Sequence, residues 1–323
     1  MLVKCDLKTV SRASASGSVL LAVLCLMMVL SFLVIMTAGI SRQHAEMQMA
    51  RMGMVRARQL AEAGIAVAVH PMMRAGDPLL RRKVSEAEAF SAQLTTEERR
   101  LNLNVLLTDD KLPILERILM SWGFPITDAQ DIAAALMDWK DPDDLKRRPG
   151  SAERLDYEFQ GRSGLPLNRP FTSLDEVELV ARMDEVRAAR PDWRTWFTLR
   201  GSGQLDINTA PADIIAAVTG ASLENAMMMV STRNGLDGLP QTQDDMPYQT
   251  IEAATSMLGI AAAVTANPGL LQMLTLQGPT RHIESIGQAG EVRCGIGVVL
   301  TMNGGAPRIA EWSEFAVKGP EKP

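Results

Sequence analysis

The chain has 323 residues, 33 Lys+Arg against 38 Asp+Glu, a formal net charge of -5, 46% hydrophobic and 22% charged residues. That balance excludes a disordered chain and leaves room for roughly two domains. Aromatics at 4% beside 20 Met argue for helix-rich packing over an all-β core, and three Cys with three His leave little for a metal–thiolate site or a disulfide framework.

The mean charge hides an asymmetry. Residues 1–58 hold seven Lys/Arg and two Asp/Glu, so residues 59–323 carry -10. Within the basic part, Ala13 to Ser41 contains no charge and Val19 to Ile40 is almost wholly apolar. As a helix this run is about 33 Å long, enough to cross a hydrocarbon core of about 30 Å. A secretory signal has a shorter apolar region of about 7–15 residues and a small-residue exit, which Thr37-Ala38-Gly39 supplies poorly. A membrane span is therefore predicted. Lys4, Lys8 and Arg12 favour a cytoplasmic N-terminus, offset by Arg42, Arg51, Arg56 and Arg58 beyond the span. Met47, Ala50, Met54, Ala57, Ala61, Ile65 and Ala68 then recur at three-to-four spacing without a Pro until Pro71. This predicts one long helix, apolar first and amphipathic later, with the later face packed on a soluble domain.

Two later stretches echo each other. Leu101-Asn102-Leu103-Asn104 and Leu205-Asp206-Ile207-Asn208 each alternate apolar and polar residues as an extended segment does. The first precedes helical patterns at about 113–122 and 128–140. The second precedes a helix at about 210–218, with Thr209 as its N-cap and Pro211 in its first turn, and another at 223–233 closed by Asn234-Gly235. Pro170-Phe171-Thr172-Ser173-Leu174-Asp175-Glu176 and Pro247-Tyr248-Gln249-Thr250-Ile251-Glu252 form a second echo, each a turn capped by Ser or Thr before a helix. The middle of the chain thus reads as two related helical units. The sequence of extended segment, helix, glycine turn and helix is also similar to a helix-hairpin-helix nucleic-acid module, which binds phosphate through backbone N–H groups at the turn. Thr219-Gly220-Ala221-Ser222 has one glycine where that module has two, in acidic surroundings that disfavour phosphate.

Asp138, Asp141, Asp143 and Asp144 cluster at a predicted helix C-terminus, with Glu153 following. Carboxylates there oppose the helix dipole, and a bound cation would relieve them; oxygen ligands on a Pro-containing turn suit Ca2+, although the spacing is not that of an EF-hand. The alternative is a solvated turn neutralised by Lys140, Lys146, Arg147 and Arg148.

Beyond Gly278 the period becomes two. Val292, Cys294, Ile296, Val298, Leu300 and Met302 alternate along a strand, Asn303-Gly304-Gly305 signals a hairpin, and 308–315 returns. Cys294 is expected to pack as a small hydrophobe; Cys5 and Cys25 lie before and within the span, so an intrachain disulfide on the soluble side is not expected. His44, His70 and His282 are scattered, and the nucleophile-elbow, P-loop and zincin motifs are missing, which favours an interaction role over catalysis.

The ordered set Gly17-Ser18-Val19-Leu20-Leu21, Leu101-Asn102-Leu103-Asn104, Ala135-Leu136-Met137-Asp138-Trp139-Lys140-Asp141-Pro142-Asp143, Gly150-Ser151-Ala152-Glu153, Leu167-Asn168-Arg169-Pro170-Phe171, Leu205-Asp206-Ile207-Asn208-Thr209-Ala210-Pro211 and Ile309-Ala310-Glu311-Trp312 resembles the general secretion pathway protein K family, the K-type minor pseudopilins of type II secretion. The resemblance implies an α+β fold: a long N-terminal pilin-like helix packed on a small antiparallel sheet, with a large mostly helical domain inserted. It divides the chain into a cytoplasmic leader 1–17, a stem helix 18–72, a connecting segment 73–100, an inserted helical domain 101–275 and a C-terminal β-hairpin or sheet 276–323. Prepilin peptidase would cut between Gly17 and Ser18, a less usual first residue, and methylate the new amine. Most pilins carry Glu at the fifth mature position, which is Ala22 here, and K-type members are similar in lacking it. The resemblance further implies a single-pass inner-membrane protein with its bulk in the periplasm, at the tip of a pseudopilus beside the I and J minor pseudopilins and the inner-membrane secretion platform. Some relatives hold calcium in the helical domain, which assigns Asp138, Asp141, Asp143, Asp144 and Glu153 as the candidate ligand set. The other reading is a membrane-anchored helix-hairpin-helix DNA-binding protein of DNA uptake.

Overall fold

The computed structural model describes residues 15–242, 244–266, 268–303 and 306–317. Most of the 1–17 leader, with Lys4, Cys5, Lys8 and Arg12, therefore lies outside the described residues, as do Gly304 and Gly305 of the hairpin. In chain order the elements are α1 (Ala15–Ala68), β1 (Arg81–Lys83), β2 (Glu88–Thr96), β3 (Leu101–Asn102), α2 (Leu103–Leu106), α3 (Leu112–Ser121), α4 (Ile126–Lys140), α5 (Arg154–Phe159), α6 (Leu174–Val177) and α7 (Met183–Ala189). Then follow β4 (Phe197–Thr198), β5 (Leu205–Asp206), α8 (Ala212–Thr219), α9 (Leu223–Arg233), α10 (Ile251–Met257), α11 (Ala261–Ala266), α12 (Pro268–Gln272), β6 (Leu274–Thr275), β7 (Thr280–Ala289), β8 (Val292–Asn303) and β9 (Ala306–Phe315). The fold is α+β. Two compact units divide at Arg56/Ala57.

In the first unit α1 exposes its apolar side chains from Val19 onward, and this helix is long and apolar enough to span a bilayer. In the second unit its last turns bury Ala57, Leu60, Ala61, Ile65 and Ala68. The predicted stripe is thus buried only from Ala57; Met47 and Met54 remain exposed.

These turns pack on a five-stranded antiparallel sheet in the order β1-β2-β7-β8-β9. Ile65, Ala68, Leu94, Ile283, Ile296, Val298 and Leu300 form its core. The segment 73–100, read from sequence as a connection, supplies two of the five strands. Its strand β2 alternates inward Phe90, Ala92, Leu94 and Thr96 with outward polar residues, a pattern weakened by its small and hydroxyl side chains. At Gly287 of β7 the helix backbone comes so close that a Cβ would lie 1.9 Å from the Ala57 carbonyl oxygen and 2.4 Å from the Ala61 nitrogen.

Between β2 and β7 the chain builds a separate helical core around Trp139, Tyr157, Trp193, Leu205 and Ile207. Its two short parallel ladders, β3 with β4 and β5 with β6, are only two residues long, because the predicted extended segments turn into α2 at Leu103 and into a turn at Ile207. Helix α8 starts two residues later than its pattern, with Pro211 rather than Thr209 as N-cap, since the Pro211 backbone is held extended at φ -63°, ψ 153°.

Where this insertion leaves and rejoins the sheet, two carboxylates are buried side by side. Glu98 accepts from the Thr96 hydroxyl, from Ser202 N (2.9 Å) and from Thr280 N (3.2 Å). Glu97 accepts from Arg100 (2.7 and 2.8 Å), the Thr198 hydroxyl and His282. Burial pushes Glu97 up, but His282, Arg100 and Thr198 outweigh it and hold the carboxyl down at about 2. Burial likewise disfavours the His282 cation, yet Glu284 and Glu97 raise it to about 9.

Gly287→Ala places its methyl against helix backbone that has nowhere to move. Urea unfolding of this variant is expected to show a loss of about 2–3 kcal/mol. A loss within error of zero would mean that the helix and sheet separate more easily than this close approach implies.

Candidate functional site

Each helical unit is closed by an asparagine that pairs with a distant backbone as another peptide would. Asn104 donates to Phe171 O and accepts from Phe171 N, both at 2.9 Å. Asn208 donates to Tyr248 O (3.0 Å) and accepts from Tyr248 N (2.9 Å). Phe171 and Tyr248 each follow a proline and precede the Ser173 and Thr250 side-chain N-caps of α6 and α10. The two sequence echoes therefore meet in space as one clamp, made twice.

The first clamp holds the acidic turn in place. Trp139, at the end of α4, lies between Phe171, stacked at 5.9 Å, and Tyr157 of α5, edge-on at 5.9 Å, so the chain from α4 to α5 is anchored from below. Above this trio, Asp138 is fully buried and accepts from Ser151 Oγ (2.5 Å) and Arg147 N (3.2 Å). Its Oδ1 has no hydrogen-bond donor, only the Arg147 guanidinium at 3.6 Å. Asp141 caps α4 and meets Arg147 at 3.3 Å through Oδ2, while its Oδ1 is also buried without a donor. Glu153 is 3% exposed; as N-cap of α5 its side chain faces the Asp156 backbone N–H in a capping box, but neither carboxylate oxygen reaches hydrogen-bond geometry. Asp143 caps Leu145 N, and Asp144 pairs with Arg154.

The basic residues expected to neutralise this turn are mostly engaged elsewhere. Lys140 donates to the carbonyls of Asn104 and Leu107, Lys146 pairs with Asp156, and Arg148 pairs with Asp131. Of these four, Arg147 alone faces the cluster. Burial, followed by repulsion from Asp138, Asp141, Asp144 and Asp143, raises the Glu153 carboxyl to about 7. Asp138 is raised by burial against its Ser151 and Arg147 bonds, and Asp141 by burial and Asp143.

A further donor-free oxygen beside the turn belongs to Asn168, which the candidate ligand set did not include. Asn168, at φ 46°, donates to Asp143 O (3.3 Å), and its Oδ1 is buried without a partner. An asparagine is the residue type that tolerates this left-handed backbone, but no local pattern ties it to a turn 25 positions earlier. Among the described residues no three acidic, His or Cys side chains already converge at metal-ligand spacing. What the turn offers is a set of hard, donor-free oxygens on Asp138, Asp141, Glu153 and Asn168, the chemistry that a Ca2+ ion takes.

Gly17 and Ser18 lie within α1, and Ala22 is exposed on it. The Gly220 turn joins α8 and α9 as the helix-hairpin-helix comparison expects, with Gly220 at φ 75°. Beside it Arg117 is spent on the carbonyls of Ala217 and Val218.

Residues 99–191 match the family model for the first domain of type II secretion system (T2SS) protein K. The matched stretch holds the Asn104 clamp, the acidic turn and Asn168. A solved chain of the GspK-GspI-GspJ complex from the type 2 secretion system of enterotoxigenic Escherichia coli shares this fold at TM-score 0.60 and 15% identity, covering 86% of this chain and 99% of that one. No curated protein matches. Among the described residues α1 is the one helix long and apolar enough to cross a membrane.

A raised carboxyl makes a signed prediction. Between its ordinary value of 4.5 and about 7, folded Glu153 binds more protons than the unfolded chain, so its contribution to stability falls as pH rises through that window. Metal-free wild type is expected to lose stability relative to Glu153→Gln from about pH 4.5 to about pH 7 and to level off above it. Paired urea titrations in chelator measure this; a constant difference across the window would oppose it.

Proposed function

We propose that this protein is a minor pseudopilin that forms or initiates the tip of the periplasmic pseudopilus of a type II secretion system, helping to export folded proteins across the outer membrane. The observation that carries the reading is the architecture: an apolar helix whose last turns pack on an antiparallel sheet, interrupted by a helical insertion containing the protein K match. The shared fold with a chain of the GspK-GspI-GspJ complex supports I- and J-type minor pseudopilins as partners; the inner-membrane platform and prepilin peptidase are proposed as further ones. The anchor would sit in the inner membrane with its N-terminus cytoplasmic and the bulk of the chain periplasmic. Cleavage would fall between Gly17 and Ser18. A carboxylate at the fifth mature position would pair with a neighbour's N-terminal amine; Ala22 offers none, which suits a subunit at which filament growth begins. The role is one of assembly rather than catalysis.

We further propose that Ca2+ occupies the acidic turn, held by Asp138, Asp141, Glu153 and Asn168, with Asp143 and Asp144 contributing charge. The ion would supply the positive charge that Arg147 alone does not. The support is the buried, donor-free oxygens of these residues.

Purified from membranes of cells with active prepilin peptidase, the chain is expected to begin at methylated Ser18 by mass spectrometry and to bring down the I and J minor pseudopilins. An intact Met1 terminus, or purification without those partners, would count against the pseudopilin reading. For the metal, calorimetry is expected to show saturable Ca2+ binding that Asp141→Ala and Glu153→Gln each weaken by at least about tenfold. Heats that both variants leave unchanged would remove the turn as the site.

A further inference from the structure

On a body that is acidic overall, one cavity gathers guanidinium groups. It measures 740 Å3 and lies between the loop after α1, the start of the insertion and the second helical unit. Arg74, Arg99 and Arg233 all line it. Arg233 is 6% exposed; its Nη1 donates to Ile207 O (2.6 Å) and its Nε reaches Asn234 at 3.4 Å, and no carboxylate pairs with it among the described residues. Burial lowers it to about 10 against the attraction of the Asp206 and Asp245 carboxylates, and Arg99 adds a smaller repulsion. The side chains of Arg74 and Arg99 are exposed and make no hydrogen bond or ion pair among the described residues. The two carboxylates of the wall are already engaged: Asp77 accepts from Leu79 N (2.9 Å), and Asp245 from Gln241 N (2.8 Å) and Thr242. Three arginines against the two carboxylates of Asp77 and Asp245 leave the wall net cationic, so an entering anion finds a complementary lining.

The same cavity borders an incomplete sheet edge. Strand β1 pairs only with Ala89, Phe90 and Ser91 of β2, and beyond Ser91 no described strand covers that side. Thr95 of β2 lines the cavity. A 170 Å3 cavity shares Thr95 and Arg99 with it, a 270 Å3 cavity shares the 76–78 and 241–242 walls, and both reach Gln93. A channel therefore follows the open part of β2, where alternate backbone N–H and C=O groups face away from β7.

We propose that this channel receives an extended acidic segment of a partner protein, which adds as a strand beside β2 at 92–96 and sets its carboxylates against Arg74, Arg99 and Arg233. Main-chain pairing gives such a complex its affinity, and the arginines select acidic over basic sequences. The elongated space and the strand edge favour a peptide over a nucleic acid, whose stacked bases have no counterpart in these walls. The proposal does not depend on the pseudopilin reading.

The test uses the full-length chain in detergent micelles and a fluorescein-labelled short peptide of alternating valine and glutamate. Fluorescence anisotropy is expected to saturate, to weaken with salt, and to remain flat for the valine–lysine counterpart. The double variant Arg74→Glu/Arg99→Glu, both exposed positions, is expected to weaken binding by about tenfold or more with an unchanged melting temperature, whereas Arg82→Glu on β1, outside the channel, leaves it unchanged. N-methylation of alternate peptide nitrogens on the pairing edge is expected to abolish binding. Absence of saturation, equal binding of both peptides, indifference to the double reversal or to N-methylation, or tighter binding of a DNA duplex would each overturn the proposal.

Discussion

The insertion is held to the sheet by two adjacent buried carboxylates. Glu97 and Glu98 stand where the chain leaves β2, and between them they take hydrogen bonds from the middle of the insertion, at Thr198 and Ser202, and from its return, at Thr280 and His282. Two segments far apart in sequence are thus tied to one turn. Buried carboxylates are costly unless every oxygen is satisfied, so the geometry of departure and return is tightly specified. The junction has no slack: a Cβ on Gly278 would stand 2.1 Å from Thr96 Oγ1 and 2.2 Å from Glu98 Oε2.

Fastened there, the helical insertion repeats one device. An asparagine after a short parallel ladder clamps the residue that follows a proline, and a Ser or Thr cap then starts the next helix. The repetition is structural, but the two units diverge in what they carry. The first ends α4 in a carboxylate turn with donor-free oxygens. At the corresponding end of α9 the second places a buried arginine, which opens on the cationic channel.

Burial decides the chemistry at both places. Of the four basic residues that the sequence sets beside the acidic turn, Arg147 alone faces it, because Lys140, Lys146 and Arg148 find partners elsewhere, while Arg154 pairs with Asp144. Glu153, counted by sequence as one acid among several, becomes the most perturbed of them because it is 3% exposed beside four other carboxyls. At Arg233 solvent has been removed from a cation, and Asp206 and Asp245 offset that loss only in part and without a direct ion pair.

Much of this was legible from residues alone. The length and apolarity of Val19–Ile40 determine a helix able to cross a hydrocarbon core. The three-to-four spacing of Ala57, Ala61, Ile65 and Ala68 determines which face is buried, and period-two alternation determines β8. The duplicated Asn and Pro motifs determine the repeat. Strand β2 was not legible, since its inward Ala92 and Thr96 carry little hydrophobic signal and its identity depends on pairing with β7 almost two hundred residues later. Asn168 escaped the ligand reading for the same reason: its relation to Asp143 exists only after the chain has folded back. Local pattern depends on neighbours within a few residues, so the sequence by itself determined elements and their faces. Which charges meet, which stay unpaired and which strand edge is left open depend on long-range closure and loss of solvent, and only the tertiary structure decided them.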